Sequence, residues 1–167
     1  RPASGEDNLA RVRAWRERCP SLAIRSTFIV GFPGETDIDF QELLNFLRQA
    51  QLDRVGCFIY SPVTGARAND LPEPVDAGVA QARFDELMAV QAEISHTRLR
   101  QRLGREYKVL IDEVTEAGAV GRSASESPDV DGVIHLPGIT EIQAGDFVKV
   151  KITACDTHDL TASLVEA

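Results

Sequence analysis

The chain has 167 residues, of which 43% are hydrophobic and 26% charged, enough for one or two globular domains with a buried core. Its 26 acidic and 18 basic side chains give a net charge of −8, which argues against non-specific binding to nucleic acid or to an anionic membrane. No apolar run is long enough to cross a bilayer, and the first residues do not resemble a signal peptide, so we expect a cytoplasmic protein.

The first half of the chain alternates between helical and strand patterns. Apolar residues at helical spacing predict helices over residues 6–18 and 37–50, and Thr36 is placed to cap the second of these. Apolar runs predict strands over residues 23–32 and 54–60. A strand, a helix and a strand in succession form a βαβ unit, so we expect the two strands to be parallel neighbours.

The second half changes to the period of two that is typical of strands. A punctuated loop over residues 61–78 precedes a long helix over 79–103, which Gly104 should end. Five short strands are then predicted, over residues 106–114, 118–122, 132–136, 146–154 and 159–165. We expect them to form a small antiparallel barrel with Phe147 in its core. The fold class is therefore α/β plus all-β.

A glycine-containing turn follows the first predicted strand. Gly31 and Gly34 lie where that strand should end, and ligands of α/β proteins bind at the carboxyl ends of parallel strands. The spacing is not that of a P-loop, and no lysine follows the second glycine. The glycines have two interpretations: they allow close approach of a ligand, or they only permit the sharp turn.

The cysteines and histidines are not spaced to bind a metal. Cys19, Cys57 and Cys155 lie far apart and form none of the short Cys-x-x-Cys pairs found in metal and cluster sites. The three histidines are equally scattered. We expect no metal site in this chain, no disulfide framework, and a core position for Cys57.

The segment from Arg25 to Thr36 resembles the fifth-strand motif of radical S-adenosylmethionine (SAM) enzymes. Ile29, Gly31 and Glu35 fit that motif, although Thr27 replaces its first glycine and one extra residue precedes the glutamate. Residues 55–62 resemble the sixth strand of the same partial (β/α) barrel, and the rest resembles the connecting helix and OB-like TRAM domain of methylthiotransferases. The resemblance implies three parts: a C-terminal portion of the radical SAM barrel over residues 1–78, a connector over 79–103, and a TRAM barrel over 104–167.

The same resemblance implies a cofactor and the residues that bind it. SAM should lie against the two strands, and the residues expected to bind it are Arg25, Thr27, Ile29, Gly31, Phe58 and Tyr60. Arg25 has the alternative of pairing with a nearby carboxylate, Tyr60 that of substrate contact or packing, and Ser26 is an alternative to Thr27. The resemblance places the [4Fe–4S] cluster ligands outside this chain, so we expect the chain alone to be inactive and to contain no catalytic residue.

The substrate class follows from the subfamily that the chain resembles. Residues 60–69 lack the arginine and threonine usual in tRNA-modifying members, and with residues 52–58 and 121–123 they resemble the subfamily that methylthiolates an aspartate β-carbon in the twelfth small-subunit ribosomal protein. Residues 104–167 hold 12 acidic and 5 basic side chains, a net charge of −7. Such a surface suits a basic ribosomal protein and not tRNA.

We expect a loop cluster of Glu126, Asp129 and Asp131 to bind that partner, with a merely solvated surface as the alternative. Two other functions stay open: a fragment of a tRNA methylthiotransferase and a non-enzymatic OB-like binding module.

Overall fold

The structure is a computed structural model that describes residues 5–128 and 130–165. The chain divides into two compact units, residues 1–94 and 95–167, and the division falls within a long helix. Among the described residues, no helix is both long and apolar enough to span a membrane.

The first unit is built around two parallel strands. Helix α1 (Gly5–Arg18) precedes strand β1 (Arg25–Val30), helix α2 (Asp37–Ala50) and strand β2 (Arg54–Ile59). A short 3-10 helix (Arg67–Asp70) and helix α3 (Ala77–Arg100) follow. β1 and β2 pair in parallel from Arg25 opposite Arg54 to Val30 opposite Ile59, which confirms the predicted βαβ unit.

Burial on one side of this sheet explains why the elements form. One side of the strands and the apolar stripes of the helices share a core that includes Val30, Leu44, Leu47, Leu52 and Leu87. The N-terminus of α2 has the predicted cap: the Thr36 side chain accepts a hydrogen bond from the Asp39 amide, and the Asp39 side chain accepts one from the Thr36 amide.

The second unit is a closed five-stranded barrel. Its strands are β3 (Glu106–Thr115), β4 (Gly118–Arg122), β5 (Ile134–Pro137), β6 (Phe147–Cys155) and β7 (Leu160–Leu164), paired in the order β3-β4-β5-β7-β6. The fully buried side chains inside it include Val109, Ile111, Ile134, Leu136 and Val150. The number of predicted strands and their approximate positions along the chain are confirmed.

The prediction that every pair in the barrel is antiparallel is wrong. β5 and β7 pair in parallel, with Ile134 opposite Leu160 and His135 opposite Thr161, whereas the other four pairs are antiparallel. Strand directions cannot alternate all the way around a closed ring that contains an odd number of strands. A closed barrel of five strands therefore requires at least one parallel pair.

Candidate functional site

One face of the β1–β2 sheet is exposed and carries four of the residues predicted to bind the cofactor. Arg25, Thr27 and Ile29 alternate along β1 on this face, and Phe58 lies on it in β2. Ile29 lies directly opposite Phe58 in the register, and the two side chains are 53% and 64% exposed. Two adjacent large apolar side chains in contact with solvent are typical of a binding or interaction surface. We call these four residues the sheet face.

The opposite face of the same strands belongs to the core. Val30 and Cys57 are buried there, and Phe28 packs edge-on against Phe46 of α2 with ring centroids 6.2 Å apart. Burial, and to a lesser degree the charge of Glu35, raises the pKa of the Cys57 thiol to about 11. The thiol is therefore protonated at neutral pH and is a poor nucleophile, in agreement with the predicted core position.

A cavity of about 560 Å³ lies beside β1 on its helix-facing side. Side chains of α1, β1 and α2 line it, among them Trp15, Ser26, Phe28 and Phe46. Ser26 is less exposed than Thr27, its neighbour on β1, and lines this cavity, so we take Thr27 as the hydroxyl of the sheet face. Arg25, at the start of the strand, also lines the cavity.

The turn after β1 adopts a conformation that depends on glycine. Gly31 and Gly34 have φ angles of 72° and 84°, in the left-handed region where side chains are disfavoured. A Cβ atom on Gly31 would lie 2.6 Å from Cβ of Ala80, whereas one on Gly34 would meet nothing within 4 Å. The turn interpretation is confirmed at both glycines by their positive φ angles, and at Gly31 helix α3 also lies too close for any side chain. Close approach of a ligand stays a prediction.

Hydrogen bonds from two distant segments hold this turn. The Gly31 amide donates to Oε1 of Glu35 at 3.1 Å, and the Gly34 amide donates to the Glu73 carbonyl at 2.8 Å. Arg83 of α3 donates to the same Glu35 oxygen at 2.7 Å, to the Glu35 carbonyl at 3.1 Å, and to Asp37 Oδ1 at 2.6 Å. We call Arg83, Glu35 and Gly31 the turn clamp.

Tyr60 lies at the end of β2, beside this turn. Its amide donates to the Val30 carbonyl at 2.8 Å, and its ring packs edge-on against Phe32 with centroids 5.1 Å apart. Its hydroxyl donates to Oδ1 of Asn69 at 2.9 Å, and Nδ2 of Asn69 donates to the Val63 carbonyl at 2.8 Å. Tyr60 thus closes one end of the sheet face and fixes the loop that follows it.

The acidic loop cluster that was predicted to be an exposed binding surface includes a buried residue, Glu126. Glu126 is buried, with a side chain 3% exposed that forms an ion pair with Arg102. Its other oxygen accepts hydrogen bonds from the Ser123 amide at 2.9 Å and the Ser123 hydroxyl at 2.6 Å. The prediction that Glu126 belongs to an exposed docking surface is therefore wrong, because every interaction of its carboxylate described here is internal.

The other two members of the cluster do not restore that surface. Asp131 is partly buried and accepts a hydrogen bond from the Ser127 amide at 2.7 Å, so it stabilises its own loop. Asp129 lies outside the described residues. The exposed acidic residues among the described residues of the barrel lie elsewhere, at Glu106, Asp112, Glu113, Glu116, Glu141, Asp146 and Asp156.

One barrel residue predicted in the core is instead on the surface. Phe147 is 62% exposed, and Nζ of Lys108 lies 4.3 Å from the centre of its ring. Val148 and Val150 point inward on the same strand, so Phe147 shares the outward parity of Lys149. Strict alternation along β6 would have predicted this exposure from the sequence.

Comparison with known proteins identifies relatives of the whole chain. The TRAM domain family matches residues 103–165. A protein of Alteromonas mediterranea is 57% identical over 99% of the chain, one of Cronobacter sakazakii is 55% identical over 99%, and one of Legionella pneumophila is 54% identical over 99%. All three are named ribosomal protein uS12 methylthiotransferase RimO.

Over almost its whole length the chain is similar to RimO proteins. It spans about a third of the length of these relatives, covering 34%, 37% and 38% of them respectively. Both units of the structure lie within the region shared with RimO proteins. The resemblance to methylthiotransferases with a TRAM domain is thereby confirmed.

The turn clamp is the part of the candidate site that the sequence did not predict. Arg83 and Glu35 are 48 residues apart, and the helical pattern around Arg83 indicates only a polar position on α3. Glu35 was the one indication of this contact in the sequence, because it fits the radical SAM strand motif and had no predicted partner. A carboxylate beside a ligand-binding turn requires a cation or amides once it is buried.

Proposed function

We propose that this chain is the C-terminal part of a radical SAM methylthiotransferase that modifies the β-carbon of an aspartate in ribosomal protein uS12. In this proposal the β1–β2 sheet is a portion of the partial (β/α) barrel, and the five-stranded barrel is the TRAM domain. The observation that carries the proposal is the sheet face, where exposed apolar side chains lie beside a glycine turn at the carboxyl ends of parallel strands. The names of the RimO relatives support the substrate.

The chemistry of the sheet face fits the adenosine part of SAM. Ile29 and Phe58 offer a flat apolar surface to the adenine ring, and burial of that surface would exclude water. The Thr27 hydroxyl lies on the same face and offers a hydrogen bond to a polar group, and Arg25 is exposed at the start of the same strand. Gly31 shapes the turn beside this face, because its amide donates to Glu35 and the space beside its Cα is taken by Ala80 of α3.

SAM, together with an iron–sulfur cluster, supplies the radical chemistry of this enzyme class. We place the cluster ligands in the part of the protein outside this chain. Cys57 is buried on the side of the sheet away from this face, and the three cysteines of the chain have none of the short spacings found in cluster sites. The residues of this chain would bind, orient and shield the cofactor, and none would exchange a proton in the reaction.

The acidic exposed residues of the barrel are proposed to attract the basic substrate protein. Glu113 and Glu116 lie on β3 and at the turn after it, and both are exposed. With Glu126 buried, these two carboxylates replace the loop cluster as the proposed docking charges. Surface charges of this kind raise association rates, and their effect falls as salt screens them.

The test of the cofactor face uses the full-length protein with its cluster reconstituted anaerobically. Ile29→Ser should weaken SAM binding about tenfold or more, because it removes apolar area that the adenine would bury. Ile38→Ser is the matched control, since Ile38 is 73% exposed on α2 and does not belong to the sheet face. Equal SAM dissociation constants for the two variants in equilibrium dialysis would contradict the proposal.

The test of the substrate uses the same protein with purified uS12 or with tRNA. Mass spectrometry should detect one methylthio group on an aspartate of uS12 and none on tRNA. Glu113→Gln with Glu116→Gln should slow association with uS12 and flatten its salt dependence, whereas Asp85→Asn with Glu86→Gln on α3 should not. Modification of tRNA instead would favour the alternative of a tRNA methylthiotransferase.

A further inference from the structure

We infer that Arg83 is a positioning residue for the proposed cofactor site and acts through Glu35 on the turn at Gly31. The inference rests on the proposed function, because it assumes that SAM binds against the sheet face. Its basis is a series of contacts that begins at Arg83 on α3, passes through Glu35 and ends at Gly31, the first residue of the turn.

The first step is the burial of a charge. The Arg83 side chain is 8% exposed, and its guanidinium lies 5.6 Å from the centre of the Phe40 ring. It forms ion pairs with Glu35 and Asp37 at 2.7 Å and 2.6 Å. The Glu35 side chain is itself only 12% exposed. A buried carboxylate that loses its cation is strongly destabilised, so Glu35 depends on Arg83 to remain inside.

The second step is the coupling of Glu35 to the turn. Oε1 of Glu35 accepts hydrogen bonds from both Arg83 and the Gly31 amide, so one oxygen atom joins α3 to the end of β1. Arg83 also donates to the Glu35 carbonyl at 3.1 Å. Three contacts thus fix the side chain and main chain of Glu35 relative to Gly31. If Glu35 turned outward to solvent, the Gly31 amide would lose its acceptor.

The third step is the consequence for a ligand. Gly31 lies two residues after Ile29 on the strand whose exposed side chains form the sheet face. A binding surface held in its bound conformation costs less ordering when the ligand arrives. The turn clamp therefore lowers the dissociation constant for SAM although Arg83 itself, buried on α3, belongs to neither strand of the sheet face.

The chain contains a matched control at the opposite end of the same strands. Arg16 of α1 is also partly buried, donates to the carbonyls of Ala50 and Gln51, and pairs with Asp53. Asp53 in turn accepts a hydrogen bond from the Ile24 amide at 2.8 Å, just before β1 begins. Arg16 and Arg83 therefore clamp the amino and carboxyl ends of one βαβ unit, and only Arg83 adjoins the glycine turn.

The experiment measures SAM affinity by equilibrium dialysis and the melting temperature by scanning calorimetry, in the full-length cluster-loaded protein. Arg83→Met should raise the dissociation constant about tenfold, and Arg83→Lys should raise it less, because lysine keeps the charge but not the two-pronged geometry. Arg16→Met should lower the melting temperature and leave the dissociation constant within twofold of wild type. Amide exchange of the segment containing Gly31 and Glu35 should accelerate in Arg83→Met and not in Arg16→Met.

The outcomes separate this inference from the function on which it rests. A wild-type protein that binds no SAM overturns the proposed function and the inference with it. Normal wild-type binding together with an unchanged dissociation constant in Arg83→Met overturns the inference alone. If Arg83→Met does not fold, Arg83→Lys decides: an affinity equal to that of wild type, with faster exchange at the turn, overturns the positioning role.

Discussion

Replacing Glu126 should destabilise the barrel more than any surface charge does. Its carboxylate neutralises Arg102 and accepts two hydrogen bonds from Ser123, all in the interior. Among the described residues, Arg102 Nε already lacks a hydrogen-bond partner, so Glu126→Ala would leave most of a buried guanidinium uncompensated. Breaking a buried ion pair costs about 3–5 kcal/mol. Glu126→Gln keeps the shape of the side chain and should cost less, about 1.5–3 kcal/mol, the range for a hydrogen bond to a charged group.

Hydrogen exchange measured by mass spectrometry reports on peptides of the barrel separately from those of the rest of the chain. A loss of 3 kcal/mol corresponds to about hundredfold faster exchange in the barrel strands under conditions where exchange reports the opening equilibrium. Asp112→Asn is the control, since Asp112 pairs with Arg122 at the surface and such pairs contribute about 1 kcal/mol or less. If Glu126→Ala accelerated exchange no more than Asp112→Asn does, the buried ion pair would not stabilise the barrel. A role for Glu126 on the binding surface would then be favoured again.

Three further outcomes follow from the geometry. Gly31→Ala should cost at least about 1 kcal/mol more than Gly34→Ala in thermal unfolding, because both have positive φ but only Gly31 meets Ala80. Iodoacetamide at pH 8 should modify exposed Cys19 and spare Cys57, whose pKa burial raises to about 11, as peptide mapping would reveal. Hydrogen bonds from the Asp159 and His158 amides lower the pKa of Asp156, so its charge stabilises the fold above pH 4. The stability deficit of Asp156→Asn should shrink as pH falls through that lowered pKa, and a deficit independent of pH would contradict this.

Features that depend on neighbouring residues were predictable from the sequence. The capping box of α2 involves Thr36 and Asp39 alone, and the strands of the barrel follow from alternation between turns. The residues of the sheet face were predicted from the resemblance to radical SAM enzymes. The period of two along a strand explains why Thr27 and Ile29 share one side of β1 and Phe28 lies on the other.

Features that join distant residues were not predictable in this way. The sequence around Glu126 has the composition of a solvated loop, and only the return of Arg102 toward it makes it a core residue. The same is true of Arg83 and Glu35, whose contact depends on how α3 packs. The exposure of Phe147 has a different cause: although the side chain is apolar, its position on β6 points to the same side as Lys149 and Lys151.

The odd number of strands in the barrel has a kinetic consequence. β3–β4 and β6–β7 are antiparallel pairs of consecutive strands, so they can form early and locally. Closure of the ring must wait for β3 to meet β6 and for β5 to meet β7, which are separated by other segments of the chain. Contacts between distant residues slow folding, so barrel formation should be limited by this last step. Until the parallel pair forms, the open edges of β5 and β7 remain available to other chains, and refolding yield should fall as protein concentration rises.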